Sequence, residues 1–146
     1  MNYIRQAVVD DLGRIAEIFV FNYRLNFYPI FQEDTFYFEE LTVSNLIESF
    51  AKELDSILVY DDGVVKGFIQ IEKREMKRLF VEPVLQGKAI GTELLEYGIA
   101  EKDANHLWAL EKNIKAIAFY KRHGFYTTNE KKYEEDTTEF LVRMER

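Results

Sequence analysis

Hydrophobic and polar residues recur along this chain in a pattern that predicts strands and helices in a defined order. A first strand covers residues 2–6. Asp10 or Asp11 can cap the helix that follows, and its buried face recurs with a helical period at Leu12, Ile15, Ile18, Phe19 and Asn22. A second helix begins at Thr42 or Ser44. An aromatic-rich stretch, residues 21–38, lies between the two helices and is interrupted by Pro29.

In the middle of the chain, the hydrophobic pattern predicts three antiparallel strands, residues 56–60, 64–72 and 76–81. Asp61-Asp62-Gly63 is a strong hairpin turn between the first two. A helix over residues 90–103, a short strand over 106–110 and a helix over 114–122 come next, and Gly124 ends the last helix in the left-handed conformation. Strands over residues 125–132 and 137–144 close the chain around the acidic turn Glu134-Glu135-Asp136.

This order of elements predicts an α+β fold with a mixed sheet and helices on both faces. The 146 residues suffice for a hydrophobic core. No internal repeat, low-complexity tract or flexible linker divides them. We therefore expect one domain covering residues 1–146.

Composition narrows the possible chemistry. The chain has no cysteine, which excludes thiolate metal sites and a cysteine nucleophile. It has two histidines, His106 and His123, so no histidine-based metal site is expected. The net charge of −7 disfavours a nucleic-acid partner. No apolar run is long enough for a signal peptide or a membrane span, and the cytoplasm is the default location.

The segment from Leu79 to Leu95 carries the most specific chemical signal. It reads as a strand, a proline stop, a glycine-bearing turn and an amphipathic helix. Free backbone N–H groups at a helix N-terminus, together with the helix dipole, make such a turn a ready phosphate site. The segment resembles the acetyl-CoA pyrophosphate loop of the GNAT superfamily of N-acetyltransferases. Gln86 and Gly91 match the family pattern, whereas Ala89 stands where the family prefers its first glycine.

A second segment, from Asn113 to Phe125, is similar to the other signature of the same superfamily. Its matching residues are Asn113, Ala116, Phe119, Tyr120, Gly124 and Phe125. Two ordered motifs on the expected elements identify the chain as a member of the superfamily. The resemblance covers nearly the whole chain and implies a mostly antiparallel sheet of about six or seven strands. The resemblance implies that the side-chain amide of Asn113 holds the pantetheine or a splayed strand. Taken alone, Asn113 is also a good helix N-cap, and both roles stay open.

Acetyl-CoA is the cosubstrate that the resemblance implies, and no metal is expected. The residues implied to bind it are Phe80, Val81, Gln86, Gly87, Lys88, Ala89, Ile90, Gly91, Thr92, Asn113 and Phe119. Phosphate binding requires small residues in the loop, because each Cβ pushes the phosphate away from the backbone. A backbone N–H near Phe80 and Val81 is expected to stabilise the thioester oxygen if the strand is splayed or bulged.

Two residues are implied to be catalytic. Tyr120 occupies the general-acid position of the family, where its hydroxyl can hydrogen-bond the leaving sulfur. Full proton transfer is weakly driven, because the ordinary pKa of tyrosine, about 10, exceeds that of a thiol, about 8.5. Glu75 lies on the strand before the loop, where some branches of the family place a basic glutamate. The alternatives for Glu75 are an ordered water as the base and a solvated, mixed-charge hairpin.

The acceptor is expected to carry a primary amine, and a cationic amine fits better than an anionic acceptor. In this family two parts of the chain frame the acceptor. One is the segment between the first two helices, and the other is the last hairpin. Here they contribute Tyr23, Phe27, Tyr28, Phe31, Phe36, Tyr37, Phe38 and the turn at residues 134–136. These residues are alternatively core aromatics and a solvated turn. Two other functions compete: a catalytically silent acyl-CoA-binding sensor, and a transfer-RNA-directed toxin, which the negative charge disfavours. A homodimer is common among proteins of this kind.

Overall fold

A computed structural model describes residues 2–146 of the chain. Seven strands form one sheet in the order β1-β2-β3-β4-β5-β7-β6. The pair β4–β5 is parallel and the other pairs are antiparallel. The strands are β1 Ile4–Gln6, β2 Ile57–Asp61, β3 Val65–Glu72, β4 Glu75–Val81, β5 His106–Leu110, β6 Tyr126–Tyr133 and β7 Phe140–Glu145. The predicted α+β class and mixed sheet are confirmed.

Helices cover both faces of this sheet, as the sequence pattern predicted. The helices are α1 Leu12–Asn26, α2 Tyr28–Phe31, α3 Val43–Ala51, α4 Ile90–Lys102 and α5 Ile114–Arg122. Helices α1 and α3 bury Ile15, Phe19 and Phe50 in a core shared with Val59 and Phe68 of the sheet. Helix α4 buries its apolar side on the opposite face, where part of α5 also packs.

Strands β4 and β5 diverge from a single point of contact. Within residues 2–146, their pairing is limited to Glu75 opposite His106. That end is tied by a hydrogen bond from the Asn105 N–H to the Arg74 carbonyl at 2.9 Å. Because the strands run parallel, the gap widens toward their C-terminal ends at Val81 and Leu110. The splayed strand that the sequence argument required is therefore present.

Several local predictions needed correction. The aromatic stretch forms helix α2 and a π-helical turn, Phe36–Glu40, which its irregular periodicity did not reveal. The last strand begins at Phe140 instead of residue 137, because Thr137 completes the turn by bonding the Glu134 carbonyl. Asp11 occupies the N-cap position of α1 without capping it through its side chain, because its carboxylate accepts from Arg5 and from the Val8 N–H. None of the helices in residues 2–146 combines the length and apolar character needed to cross a membrane.

Candidate active site

The loop from Gln86 to Gly91, here called the phosphate loop, joins the open end of β4 to helix α4. A 3-10 turn, Pro83–Leu85, ends the strand. Gly87 then takes a positive φ of 86° and Ala89 one of 67°. Among the hydrogen bonds described for residues 2–146, none has a backbone N–H between Gly87 and Thr92 as its donor. The loop therefore presents a run of free N–H groups at a helix N-terminus, which is the arrangement that binds phosphate.

Ala89 is the N-cap residue of α4 and holds the left-handed conformation, with φ 67° and ψ 8°. A residue with a Cβ pays about 1–2 kcal/mol for this conformation. Glycine avoids that strain. The backbone of Ala89 therefore has the shape that glycine would adopt there, at the cost of local strain.

Helix α5 and the residue that follows it lie beside the first turn of α4. A Cβ placed on Gly91 would lie 3.7 Å from Cζ of Phe119 and 3.7 Å from Cγ2 of Val81. The Thr92 hydroxyl oxygen lies 3.4 Å from Nε2 of His123. The two sequence motifs therefore converge at the first turn of α4.

The register of β4 identifies which N–H groups face the gap. In an antiparallel pair, hydrogen-bonded and non-hydrogen-bonded positions alternate. The Glu82 N–H donates to the Lys66 carbonyl at 2.9 Å, so Phe80, opposite Phe68, also bonds toward β3. Leu79 and Val81 then turn their N–H groups toward the gap. Of the predicted pair, this geometry favours Val81 over Phe80 as an oxyanion donor, and it adds Leu79.

Tyr120 lies on α5 and is half-buried beside Phe119 and Phe125, with ring centroids 5.4 and 6.1 Å away. Burial raises the pKa of its hydroxyl well above the ordinary value, so the phenol stays protonated at neutral pH. No hydrogen bond of this hydroxyl is described within residues 2–146. A protonated, unengaged phenol is a suitable donor to a sulfur anion.

Glu75 stands at the closed end of the gap. It is half-exposed and pairs with Glu72 on one side and His106 on the other. At about 3.3 Å per residue, it lies roughly 13 Å along the strand from Leu79. This separation is too long for a direct hydrogen bond to an amine at Leu79, and it favours transfer through water.

Asn113 is the N-cap of α5, as its alternative reading predicted. Its Oδ1 accepts from the Ala116 N–H at 3.2 Å, and the Asn113 N–H donates to the Leu110 carbonyl at 2.9 Å. The side chain therefore sits where β5 ends, across the gap from β4. Its Nδ2 stays available for a ligand in the gap, so the capping and binding readings are compatible.

Some of the aromatic residues expected to frame the acceptor lie in the core, and others lie on the surface. Tyr37 is buried, Tyr23 is half-buried, and Phe36 and Phe38 are exposed. Burial raises the pKa of Tyr23 to about 12; the Arg78 guanidinium opposes this shift and the Glu134 carboxylate adds to it. Burial likewise raises the pKa of Tyr37 to about 12, with Tyr23 and Glu134 contributing. The Glu134 carboxylate of the last hairpin therefore acts electrostatically on Tyr23 of α1 and on Tyr37.

Sequence reasoning missed two polar residues near the site. Asn22 was placed on the buried stripe of α1 for its spacing alone, yet its side chain contacts Val81 and Gln86. Arg78 of β4 lies over the rings of Phe19 and Phe50, at 5.2 and 5.3 Å. The signal for Asn22 was present, because a lone polar residue on an apolar helix face needs a buried hydrogen-bond partner.

Comparison with known proteins agrees with this geometry. Residues 53–127, about half of the chain, match the family model described as an acetyltransferase (GNAT) domain. A peptidyl-lysine N-acetyltransferase, YjaB of Salmonella typhimurium, is 31% identical over 72 residues, which cover 49% of this chain and 50% of that protein. The chain thus spans about half the length of the curated relative it matches.

Solved structures share the fold over nearly the full length. The PaiA N-acetyltransferase of Thermoplasma acidophilum, in complex with coenzyme A, has a TM-score of 0.70 at 21% identity, covering 98% of both chains. The solution structure of apo YjaB from Escherichia coli has a TM-score of 0.75 at 19% identity, covering 97% of this chain and 95% of that one.

Proposed function

The chain belongs to the GNAT family of acetyltransferases, and from this membership we propose that it transfers an acetyl group from acetyl-CoA to a primary amine. The transfer is direct, within a ternary complex, and residues 1–146 act as one domain. The single observation that carries the proposal is the free N–H run of the phosphate loop at the mouth of the β4–β5 gap. That combination offers one place for a pyrophosphate and another for an extended thiol arm.

The residues around the gap fit acetyl-CoA as cosubstrate. The loop N–H groups from Gly87 to Thr92 suit a pyrophosphate, and Lys88 is exposed beside them. The strand edge at Leu79 and Val81 offers backbone groups along which a pantetheine amide can bond. Asn113 faces the same gap from the end of β5. When bound, acetyl-CoA supplies a thioester, an acyl group already activated for attack.

Two groups then serve the transfer. One gap-facing N–H, that of Val81 or of Leu79, would donate to the thioester oxygen as negative charge grows there, because the two N–H groups lie roughly 6.6 Å apart along the strand and cannot share one oxygen. Tyr120 would donate a hydrogen bond to the sulfur as the carbon–sulfur bond breaks. Its raised pKa makes it a hydrogen-bond donor more than a proton source, so the thiolate takes its proton from solvent.

The amine must lose a proton to become nucleophilic. The distance of Glu75 from Leu79 supports a route through ordered water, with Glu75 as the distal acceptor of the proton. The acceptor itself would lie against Tyr23 and the exposed Phe38, with Glu134 near enough to attract a cationic group. YjaB carries the name of a peptidyl-lysine N-acetyltransferase, so a lysine side chain is the first acceptor that we propose to test.

The alternative of a silent acyl-CoA-binding sensor has two supports, Ala89 in the phosphate loop and the unassigned catalytic base. Its support is weakened because Ala89 adopts the left-handed conformation that the loop requires, which leaves the loop N–H groups exposed. Turnover distinguishes the two functions. A sensor would bind acetyl-CoA and release no free thiol beyond the uncatalysed rate, whatever amine is supplied.

A thiol-release assay tests the proposal. Purified protein is incubated with acetyl-CoA and a panel comprising a lysine peptide, a peptide with a free N-terminus, a polyamine and an amino acid. We expect amine-dependent release of CoA and an acetylated product by mass spectrometry for at least one cationic amine. Binding of acetyl-CoA without turnover across the whole panel would support the sensor function instead.

A further inference from the structure

Asn22 is a buried polar side chain that joins helix α1 to the end of β4 and to the phosphate loop. The residue is 1% exposed. Its Nδ2 donates to the Ile18 carbonyl at 2.8 Å and to the Val81 carbonyl at 2.9 Å. Its Oδ1 accepts from Nε2 of Gln86 at 3.0 Å. One side chain therefore contacts its own helix, the last residue of β4 and the first residue of the loop.

The Val81 carbonyl needs such a partner because β5 has diverged from β4. In a continuous sheet, the neighbouring strand would donate to this carbonyl. Here the donors come from side chains: Asn22, and Gln86 at 3.4 Å. Val81 itself is buried, and a buried carbonyl without a donor is costly. Asn22 thus takes the place of the missing strand at the open end of the gap.

We propose that Asn22 is a positioning residue for cofactor binding, acting through Val81 and Gln86 without touching the cofactor. It holds the gap-facing edge of β4 and the start of the phosphate loop in one fixed relation. This inference rests on the proposed acetyl-CoA function. Since α1 also carries Phe19 and Tyr23, the same bonds connect the loop to the aromatic residues on the acceptor side.

Replacing Asn22 with serine separates positioning from simple stabilisation. A helical serine can donate a hydrogen bond to the carbonyl four residues earlier. Asn22→Ser therefore keeps a bond to the Ile18 carbonyl and removes the bonds to the Val81 carbonyl and the Gln86 side chain. We expect the Kd for CoA, measured by calorimetry on folded protein, to rise about tenfold. The control is Asn45→Ser, at an exposed helical asparagine whose Nδ2 donates to the Glu40 carbonyl at 3.0 Å. That variant should bind CoA as the wild type does.

A double-mutant cycle gives the second readout. Gln86→Ala alters the exposed loop and should leave a folded protein even where Asn22→Ser is unstable. Gln86→Ala is expected to weaken CoA binding, and Asn22→Ser should weaken it less in that background than alone. Two results would overturn the inference. One is that Asn22→Ser lowers the Tm but keeps the Kd for CoA within about twofold of wild type. The other is that the effects of the two substitutions on the Kd are fully additive. Failure of the wild type to bind CoA would instead overturn the proposed function, and the inference with it.

Discussion

Replacing Ala89 with glycine is expected to stabilise this protein, although glycine usually weakens helices. Ala89 has φ 67° and ψ 8° at the N-cap of α4. Relief of the left-handed strain contributes about 1–2 kcal/mol, and the extra freedom of glycine in the unfolded chain removes about 0.4–1 kcal/mol. The free energy of unfolding should therefore rise by about 0.5–1 kcal/mol, or roughly 2 °C in Tm for a chain of this length.

Urea and thermal unfolding, followed by circular dichroism, measure this change. The matched control is Ala118→Gly, because Ala118 is exposed in the middle of α5. There glycine should lower the free energy of unfolding by about 1 kcal/mol, so the two substitutions should have opposite signs. Removing the Cβ at position 89 should also tighten CoA binding, since phosphate can approach the backbone more closely.

A destabilised Ala89→Gly protein, with a loss similar to that of Ala118→Gly, would contradict this prediction. It would mean that residue 89 is an ordinary helical position in solution. The phosphate loop would then lack the left-handed turn that exposes its N–H groups, and the assignment of the loop as a phosphate site would lose its structural basis.

Three further predictions follow from separate parts of the molecule. Tyr120→Phe should lower kcat by roughly 10- to 100-fold while the Kd for CoA stays unchanged, and wild-type turnover would remove Tyr120 from the mechanism. Gly91→Val should weaken CoA binding by about tenfold or more while Gly91→Ala is tolerated, because a lone Cβ there meets ordinary contacts; equal affinities by calorimetry would contradict this. Arg5 holds the pKa of the Asp11 carboxyl below its usual range, so the stabilisation is present above about pH 4 and lost as pH falls through the lowered value. Asp11→Ala should therefore cost about 1–2 kcal/mol at pH 7 and progressively less below pH 4 in urea titrations, whereas Asp10→Ala, at an exposed position, should cost little at either pH.

The order of strands and helices could be predicted from the sequence because the pattern is strongly periodic. Helix α3 begins where Thr42 suggested, with its hydroxyl accepting from the Asn45 N–H. Gly124 ends the last helix with a φ of 90°. The aromatic segment resisted prediction, because its many large residues satisfy either period and its π-helical turn depends on packing against α1.

The phosphate loop could be predicted from local residues, whereas the contacts across the gap could not. The match of Gln86 and Gly91 to the family pattern locates the loop, whereas the left-handed conformation of Ala89 is found only in the structure. The bond between Asn22 and Val81 joins residues far apart in sequence, and spacing along one helix carries no information about its partner. The orientation of Leu79 and Val81 depends on strand register, which only the pairing with β3 defines.

Calorimetric titration of the wild-type protein with acetyl-CoA, with CoA as the parallel ligand, tests directly whether the phosphate loop and the β4–β5 gap bind this cosubstrate. We expect saturable one-to-one binding in the micromolar range, which Gly91→Val weakens and Gly91→Ala largely retains. Absence of detectable binding by the wild type would mean that the phosphate loop and the β4–β5 gap do not form an acetyl-CoA site.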